Sequence, residues 1–170
     1  MRSGLPFQGI KREMKTLNIL FAGIGGQGVL KASELCGLAA VIEGYHVKKS
    51  EVHGMAQRGG SVESHLRFGK HVYSPLIPMG EADFLVAFHN DENERLKHFL
   101  KAKGVNLTAY LNRAQDIVND KRFVNTFMLG ILSVYLPIKE RSWIISIEKV
   151  FSPGFVQKNK KFFLQGRDLK

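Results

Sequence analysis

Two stretches of the chain carry residue types whose spacing could do chemistry. In "LFAGIGGQGV", Leu20 to Val29, the residues Gly23, Gly25 and Gly28 keep a G-x-G-x-x-G spacing. In such a turn one glycine bends the chain, one lets a phosphate approach the backbone, and one allows a helix to pack closely on a strand. A helix starting behind the turn presents unpaired amides and the positive end of its dipole, which suits an anion. Gly23, Gly25, Gly26, Gln27 and Gly28 are therefore candidates for holding a phosphate or similar ligand. The same glycines also serve a tight strand-to-helix turn with no ligand, and the spacing alone does not decide. An ordinary dinucleotide site would place an acidic residue near the end of the second strand, where this chain has Lys48, Lys49 and Ser50 with Glu51 behind them. Lysines there suit an extra phosphate better than a ribose hydroxyl. Lys48 and Lys49 join the candidates, and a stand-alone NADP-type binder stays open as an alternative.

The second stretch is the loop "SEVHGMAQRGGS" from Ser50 to Ser61. Gly59 and Gly60 free its backbone, and Arg58 beside them offers a planar fork of donors suited to a carboxylate or phosphate. His53 and Gln57 add polar groups. A loop with this inventory at the end of a strand suits contact with a ligand or a partner's active site; a structural arginine beside a glycine turn is the plainer reading of the same residues.

Around these stretches the pattern of apolar residues predicts the elements that must hold them. Leu17 to Ala22 reads as a buried strand, Gln27 to Glu43 as a helix ended by Gly44, and Tyr45 to Val52 as a second strand. Alternation through Val62, Ser64, Leu66 and Phe68 resumes at Val72 and Ser74, which predicts a hairpin turning at Gly69-Lys70. Asp83 to His89 reads as a strand, Asp91 to Lys101 as a helix with acidic residues in its first turn, and Val105 to Tyr110 as a further strand. Asn125 is placed to cap an apolar helix, "TFMLGILSVYL", that stops at Pro137. Strands alternating with helices give an α/β fold: three-layer and Rossmann-like, its sheet mostly parallel with an added antiparallel hairpin.

Composition narrows the function. The chain has 170 residues, 44% hydrophobic and 24% charged, which fits one domain over 14–170 preceded by a loose leader or remnant at 1–13. Its net charge of +10 gathers at the two ends, with no basic stripe interleaved with aromatics, so nucleic acid is not the expected partner. No apolar run reaches the length needed to cross a bilayer and no h-region opens the chain, so the expected location is cytoplasmic, away from membranes. The six histidines show no metal-ligand spacing, and no G-x-S-x-G elbow is present. The single Cys36, mid-helix among apolar neighbours, reads as packing; alone it cannot supply the four thiolates of an iron-sulfur cluster. No catalytic residue and no metal ligand are expected on this chain.

"GIGGQGV", "SEVHGMAQRGGSVESHLRFG" and "VYSPLIPMGEADFLVAFHNDE" together resemble the gamma-type module of the 2-oxoacid:ferredoxin oxidoreductases, the loop being most similar to the beta subunit of indolepyruvate ferredoxin oxidoreductases. The resemblance spans Leu17 to Glu94 and thins through "NTFMLGILSVYL" to "FVQKNKKFFLQG", which keeps an Asn and a terminal Gly, Asn159 and Gly166. It implies a subunit of an enzyme that oxidatively decarboxylates a 2-oxoacid such as an aryl pyruvate, forms an acyl-CoA and CO2, and reduces ferredoxin. Thiamine diphosphate, magnesium and the iron-sulfur clusters would sit in a larger partner subunit, with coenzyme A as co-substrate. The isolated chain would be inactive, and it leaves room for a homodimer when alone.

Overall fold

The first apolar run determines the architecture. In Leu17–Ile24 (β1), Ile19 and Phe21 point to one face and Leu20 and Ala22 to the other, and all four are fully buried. A strand buried on both faces must be central and covered on both sides. The computed structural model describes residues 14–54 and 59–170; the expected leader at 1–13 lies outside them. After β1 come Val29–Glu43 (α1), His46–His53 (β2), Ser61–Gly69 (β3), Ala82–Ala87 (β4), Asn90–Leu96 (α2), Leu100–Asn106 (β5), Leu111–Ile117 (α3), Val124–Ser133 (α4), Glu140–Val150 (α5) and Pro153–Leu169 (α6).

The five strands form one mixed sheet in the order β2-β3-β1-β4-β5. β1, β4 and β5 run parallel, while β3 pairs antiparallel with both β1 and β2. On one face, Ile19, Phe21, Leu66, Phe68, Phe84 and Val86 pack under α1 and the helices of the second half. On the other, Leu20, Ala22, Leu85 and Ala87 are covered by Ile77, by Leu96 of α2 and by Phe99. The α/β, Rossmann-like reading of the sequence holds, with Gly44 closing α1 in the left-handed region as expected.

The antiparallel hairpin is β2–β3, and it does not turn at Gly69-Lys70. Both edges of β3 are already taken, by β1 and by β2, so β3 has no edge left for 72–74 to fold back on. Side chains replace the missing ladder: Arg67 donates to the carbonyls of Ser74 (2.9 Å) and Leu76 (3.2 Å), His46 Nδ1 accepts from Val72 N–H and His65 Nδ1 from Ile77 N–H. The helix expected to reach Lys101 ends at Leu96 and passes through a 3-10 turn, Lys97–Phe99, because Leu100 onward pairs beside β4. The strand expected over 105–110 therefore lies earlier, and Leu107–Tyr110 is a 3-10 turn. Asn125 sits inside α4, one residue past its start, instead of capping it.

All ten residues of α4 are buried, as an all-round apolar helix requires. α6 covers it at close range through facing glycines. A Cβ on Gly166 would collide with the carbonyl oxygen of Phe127 and stand 3.2 Å from the Cα of Gly130, while one on Gly130 would run into the carbonyl of Phe163. Neither glycine can grow without parting the helices. We expect Gly166→Leu to lower unfolding free energy by about 3 kcal/mol, at the upper end for an overpacked core, read as a shift of the urea midpoint. An unchanged midpoint would show that α6 docks without this crossing.

Candidate functional site

The chain leaves β1 at Ile24 and enters α1 at Val29 through a turn fastened from three sides. Gln27 folds back beneath it: its Oε1 accepts from Ile24 N–H (2.9 Å) and its Nε2 donates to Phe88 O beyond β4 (2.8 Å). Gly25 N–H donates to Gly60 O (3.0 Å), tying the turn to the loop after β2. Asn125 Nδ2 donates to Gly28 O (3.2 Å) from α4. Gly28 has φ +76°, and a Cβ there would collide with the Asn125 amide, so both the backbone conformation and the close approach require glycine.

Gly28 is also the N-cap of α1 and supplies no capping side chain, and the first turn of the helix contains no acidic residue. Among the described residues no side chain caps the leading amides of this fifteen-residue helix, which suits them to an external acceptor. They border a cavity of about 700 Å3 lined by Gly25, Gly26, Gly28, Val29, Leu30, Lys31, His53, Gly54, Gly59, Gly60 and Ser61 among others. This volume lies within the range of ligand pockets.

The structure thus brings Gly25, Gly26 and Gly28 together with His53, Gly59 and Gly60. Gly23 lies within β1 beside Val29 and the Gln27 side chain, where a Cβ would crowd both. Both groups of the Gln27 amide are engaged within the protein. Gln57 and Arg58 lie outside the described residues. Lys48 and Lys49 do not line the cavity: they pair with Arg67 and Leu66 farther down the sheet, and Lys49 binds Glu51 (2.9 Å). The reason is topological. In a dinucleotide-binding fold the second strand lies beside the first, whereas here β3 separates β1 from β2.

A charge cluster built on two buried carboxylates and a solvent-reaching arginine, unmarked by any sequence motif, supports the cavity wall. Ser61 Oγ donates to Glu92 Oε1 (2.7 Å), and Arg95 reaches both Glu92 (2.7 Å) and Glu63 (3.1 Å). His65 Nδ1 accepts from Ile77 N–H, which places the ring proton on Nε2, 3.4 Å from Glu63 Oε1. Hydrogen bonding from His65, joined by Arg95, holds the Glu63 carboxyl below its ordinary range. Burial pushes Glu92 upward, but hydrogen bonds from Arg95 and Ser61 outweigh it and hold this carboxyl low too. The acidic first turn of α2, read from the sequence as a dipole effect, is in part this cluster. Cys36 is fully buried, and burial pushes its thiol far up, which suits packing and not ligation.

A family model described as pyruvate ferredoxin/flavodoxin oxidoreductase matches residues 18–116. The chain is 46% identical over 95 residues to an indolepyruvate oxidoreductase subunit IorB of Thermococcus kodakarensis, covering 56% of this chain and 47% of that protein. It is 50% identical over 84 residues to the IorB subunit of Archaeoglobus fulgidus, covering 49% and 41%. The chain spans about half the length of these curated relatives. Among solved structures, the gamma subunit of a keto/oxoacid ferredoxin oxidoreductase from Geobacter sulfurreducens has the same fold, with TM-score 0.73, 23% identity, and coverage of 89% of this chain and 96% of that one. A 2-oxoglutarate:ferredoxin oxidoreductase from Magnetococcus marinus, solved with 2-oxoglutarate, coenzyme A and succinyl-CoA bound, superimposes with TM-score 0.75 at 18% identity, over 92% of this chain and 31% of that one.

The charge cluster yields a pH prediction. Both carboxylates are depressed on folding, so their contribution is complete above the ordinary glutamate value of 4.5 and is lost as pH falls through the lower folded values. Arg95→Met leaves two buried carboxylates facing each other and should cost about 2 kcal/mol at neutral pH, less than a fully buried pair because the guanidinium reaches solvent. The loss should shrink at an acid pH well below 4.5, as both groups take up protons. Urea unfolding at the two pH values checks this; an equal loss at both would remove the electrostatic account.

Proposed function

Because the chain belongs to the pyruvate ferredoxin/flavodoxin oxidoreductase family, we propose that it is the small, gamma-type subunit of a 2-oxoacid:ferredoxin oxidoreductase, acting on an aryl pyruvate such as indolepyruvate. The overall reaction is R-CO-COO− + CoA-SH → R-CO-S-CoA + CO2 + 2 e− + H+, with the electrons leaving to ferredoxin. The IorB relatives support the aryl substrate class. Thiamine diphosphate, magnesium and the iron-sulfur clusters are assigned to a larger partner subunit, since one buried thiol does not fit a cluster that needs four.

This chain's own contribution is binding and shaping. The observation that carries the reading is the cavity at the start of α1, where uncapped amides, Gly25, Gly26 and Gly28 meet the loop after β2. We assign to it a phosphate-bearing part of the co-substrate coenzyme A, placed by the helix amides. The loop residues His53, Gln57, Arg58, Gly59 and Gly60 are assigned to the boundary with the partner subunit. The alternative of a stand-alone NADP-type binder loses its basis, because Lys48 and Lys49 sit a strand away from the glycine turn.

Two experiments test the reading. The purified chain should not reduce a viologen dye with indolepyruvate and coenzyme A, whereas affinity capture from its native cells should bring down a larger iron- and thiamine-containing subunit with that activity; turnover by the chain alone refutes the assignment. The backbone at Gly25 is not left-handed, and a Cβ there stops 3.4 Å from the Gly59 nitrogen. Gly25→Val should therefore fold, with its branches projecting toward the loop and cavity, and should raise the KM for coenzyme A in the assembled enzyme by about tenfold or more through loss of the anion site. Full activity with an unchanged KM would leave the turn as scaffolding.

A further inference from the structure

The sheet ends at β2, and among the described residues nothing pairs with its outer edge. Six of its eight residues are exposed and the other two half-buried; Val47 packs against the core beneath α1, while the rim of the strand is open. Edge strands of this length are normally blunted or covered, because their free amides template pairing with another chain. We propose that β2 pairs antiparallel with β2 of a second copy of this chain about a twofold axis at Ser50, joining two sheets into one.

The register follows from the ladder. Gly54 N–H donates to Ser61 O (2.6 Å), so the even-numbered residues of β2 direct their backbone groups at β3. In an antiparallel pair the hydrogen-bonded positions alternate, which leaves the N–H and C=O of Val47, Lys49, Glu51 and His53 directed outward. Two copies can therefore match only odd residues with odd. With the axis at Ser50, Val47 opposes His53 of the second copy and Lys49 opposes Glu51 of the second copy, using all four outward residues and forming about eight backbone hydrogen bonds.

Charge selects this register over its neighbours. Lys49 and Glu51 share a face and already touch within one copy at 2.9 Å. The twofold brings a second such pair alongside in reverse order, so each Lys49 gains a second carboxylate and each Glu51 a second ammonium. Sliding by one step either way centres the axis on Lys49 or on Glu51 and sets like charges opposite each other, which is unfavourable. On the opposite face, Val52, 45% exposed, comes to lie against Lys48 of the second copy, whose methylene stem can cover it. Lysines on an edge usually repel a second strand; here the alternation with glutamate makes the edge complementary to itself.

Sedimentation equilibrium of the full chain tests this. The wild type should show a concentration-dependent dimer. Lys49→Glu and Glu51→Lys should each weaken it by about tenfold or more, because each sets like charges across the axis. An equimolar mixture of the two variants should restore association as a heterodimer, which a loss of folding could not do. Independently, Ser50→Cys should form an interchain disulfide on mild oxidation, since a non-hydrogen-bonded pair at the axis holds its Cα atoms about 4.5 Å apart and the native Cys36 is buried. A wild type that stays monomeric at every concentration, a mixture that fails to associate, or an unlinked Ser50→Cys variant overturns the proposal. So does β2 amide protection that arises only on adding the larger subunit, which would make the occupant a strand of that protein.

Discussion

β3 lies antiparallel between β1 and β2, bonded along its length to both, and much of the structure depends on that insertion. It carries Ser61 and the Gly59-Gly60 backbone to the end of β1, so Gly60 meets the glycine turn. It moves β2 out to the rim of the sheet, taking Lys48 and Lys49 with it. Because both its edges are used, the chain that follows cannot extend the sheet and is laid across the lower face instead. Glu63, His65 and Arg67 alternate with core residues along β3 and fasten that covering layer and α2. One strand thus supplies a wall of the cavity, an apolar stripe and a row of polar clasps.

Where one physical signal acted alone, the sequence could be read. The run from Leu17 to Ala22 is buried on both faces, and no competing pattern disguised it. The glycine turn, the helix behind it and its Gly44 stop were legible because each depends on local backbone chemistry. Partner choice was not. Val72 and Ser74 continue the alternation of β3 correctly, yet alternation specifies a face and not a neighbour, and the vacancy it implied was filled by β2. The helix after β4 was overextended for a related reason: Leu100 and Lys101 suit a helix as well as a strand, and pairing with β4 decided between them. Asn125 looked like a cap because it precedes an apolar helix; its use of Gly28 O as an acceptor depends on a contact far along the chain. The cluster of Glu63, Glu92 and Arg95 had only the spacing of Glu92 and Arg95 to announce it.

The turn is held more firmly than a strand-to-helix bend needs. Gln27 spans from Ile24 to Phe88, Gly60 receives the Gly25 amide, and Asn125 holds Gly28. What stays unclaimed is the first turn of α1, since its cap has no side chain and Glu34 lies farther on. Preorganised amides with no capping side chain among the described residues suit an anion that arrives already charged, because little rearrangement is required when it docks.

The grip of Asn125 continues inward. Its Oδ1 accepts from Thr126, whose hydroxyl bonds Asn159 Oδ1 (2.7 Å), and Asn159 in turn donates to Phe155 O. The partner of Gly28 lies 97 residues downstream of it, and the residues that orient that partner lie later still. On the ribosome, the glycine turn and the leading strand emerge first, yet their final fastening must await α4 and then α6. Assembly of the site is thereby coupled to synthesis of α4 and α6, so a product cut short before them would display the glycine motif without the Asn125 fastening.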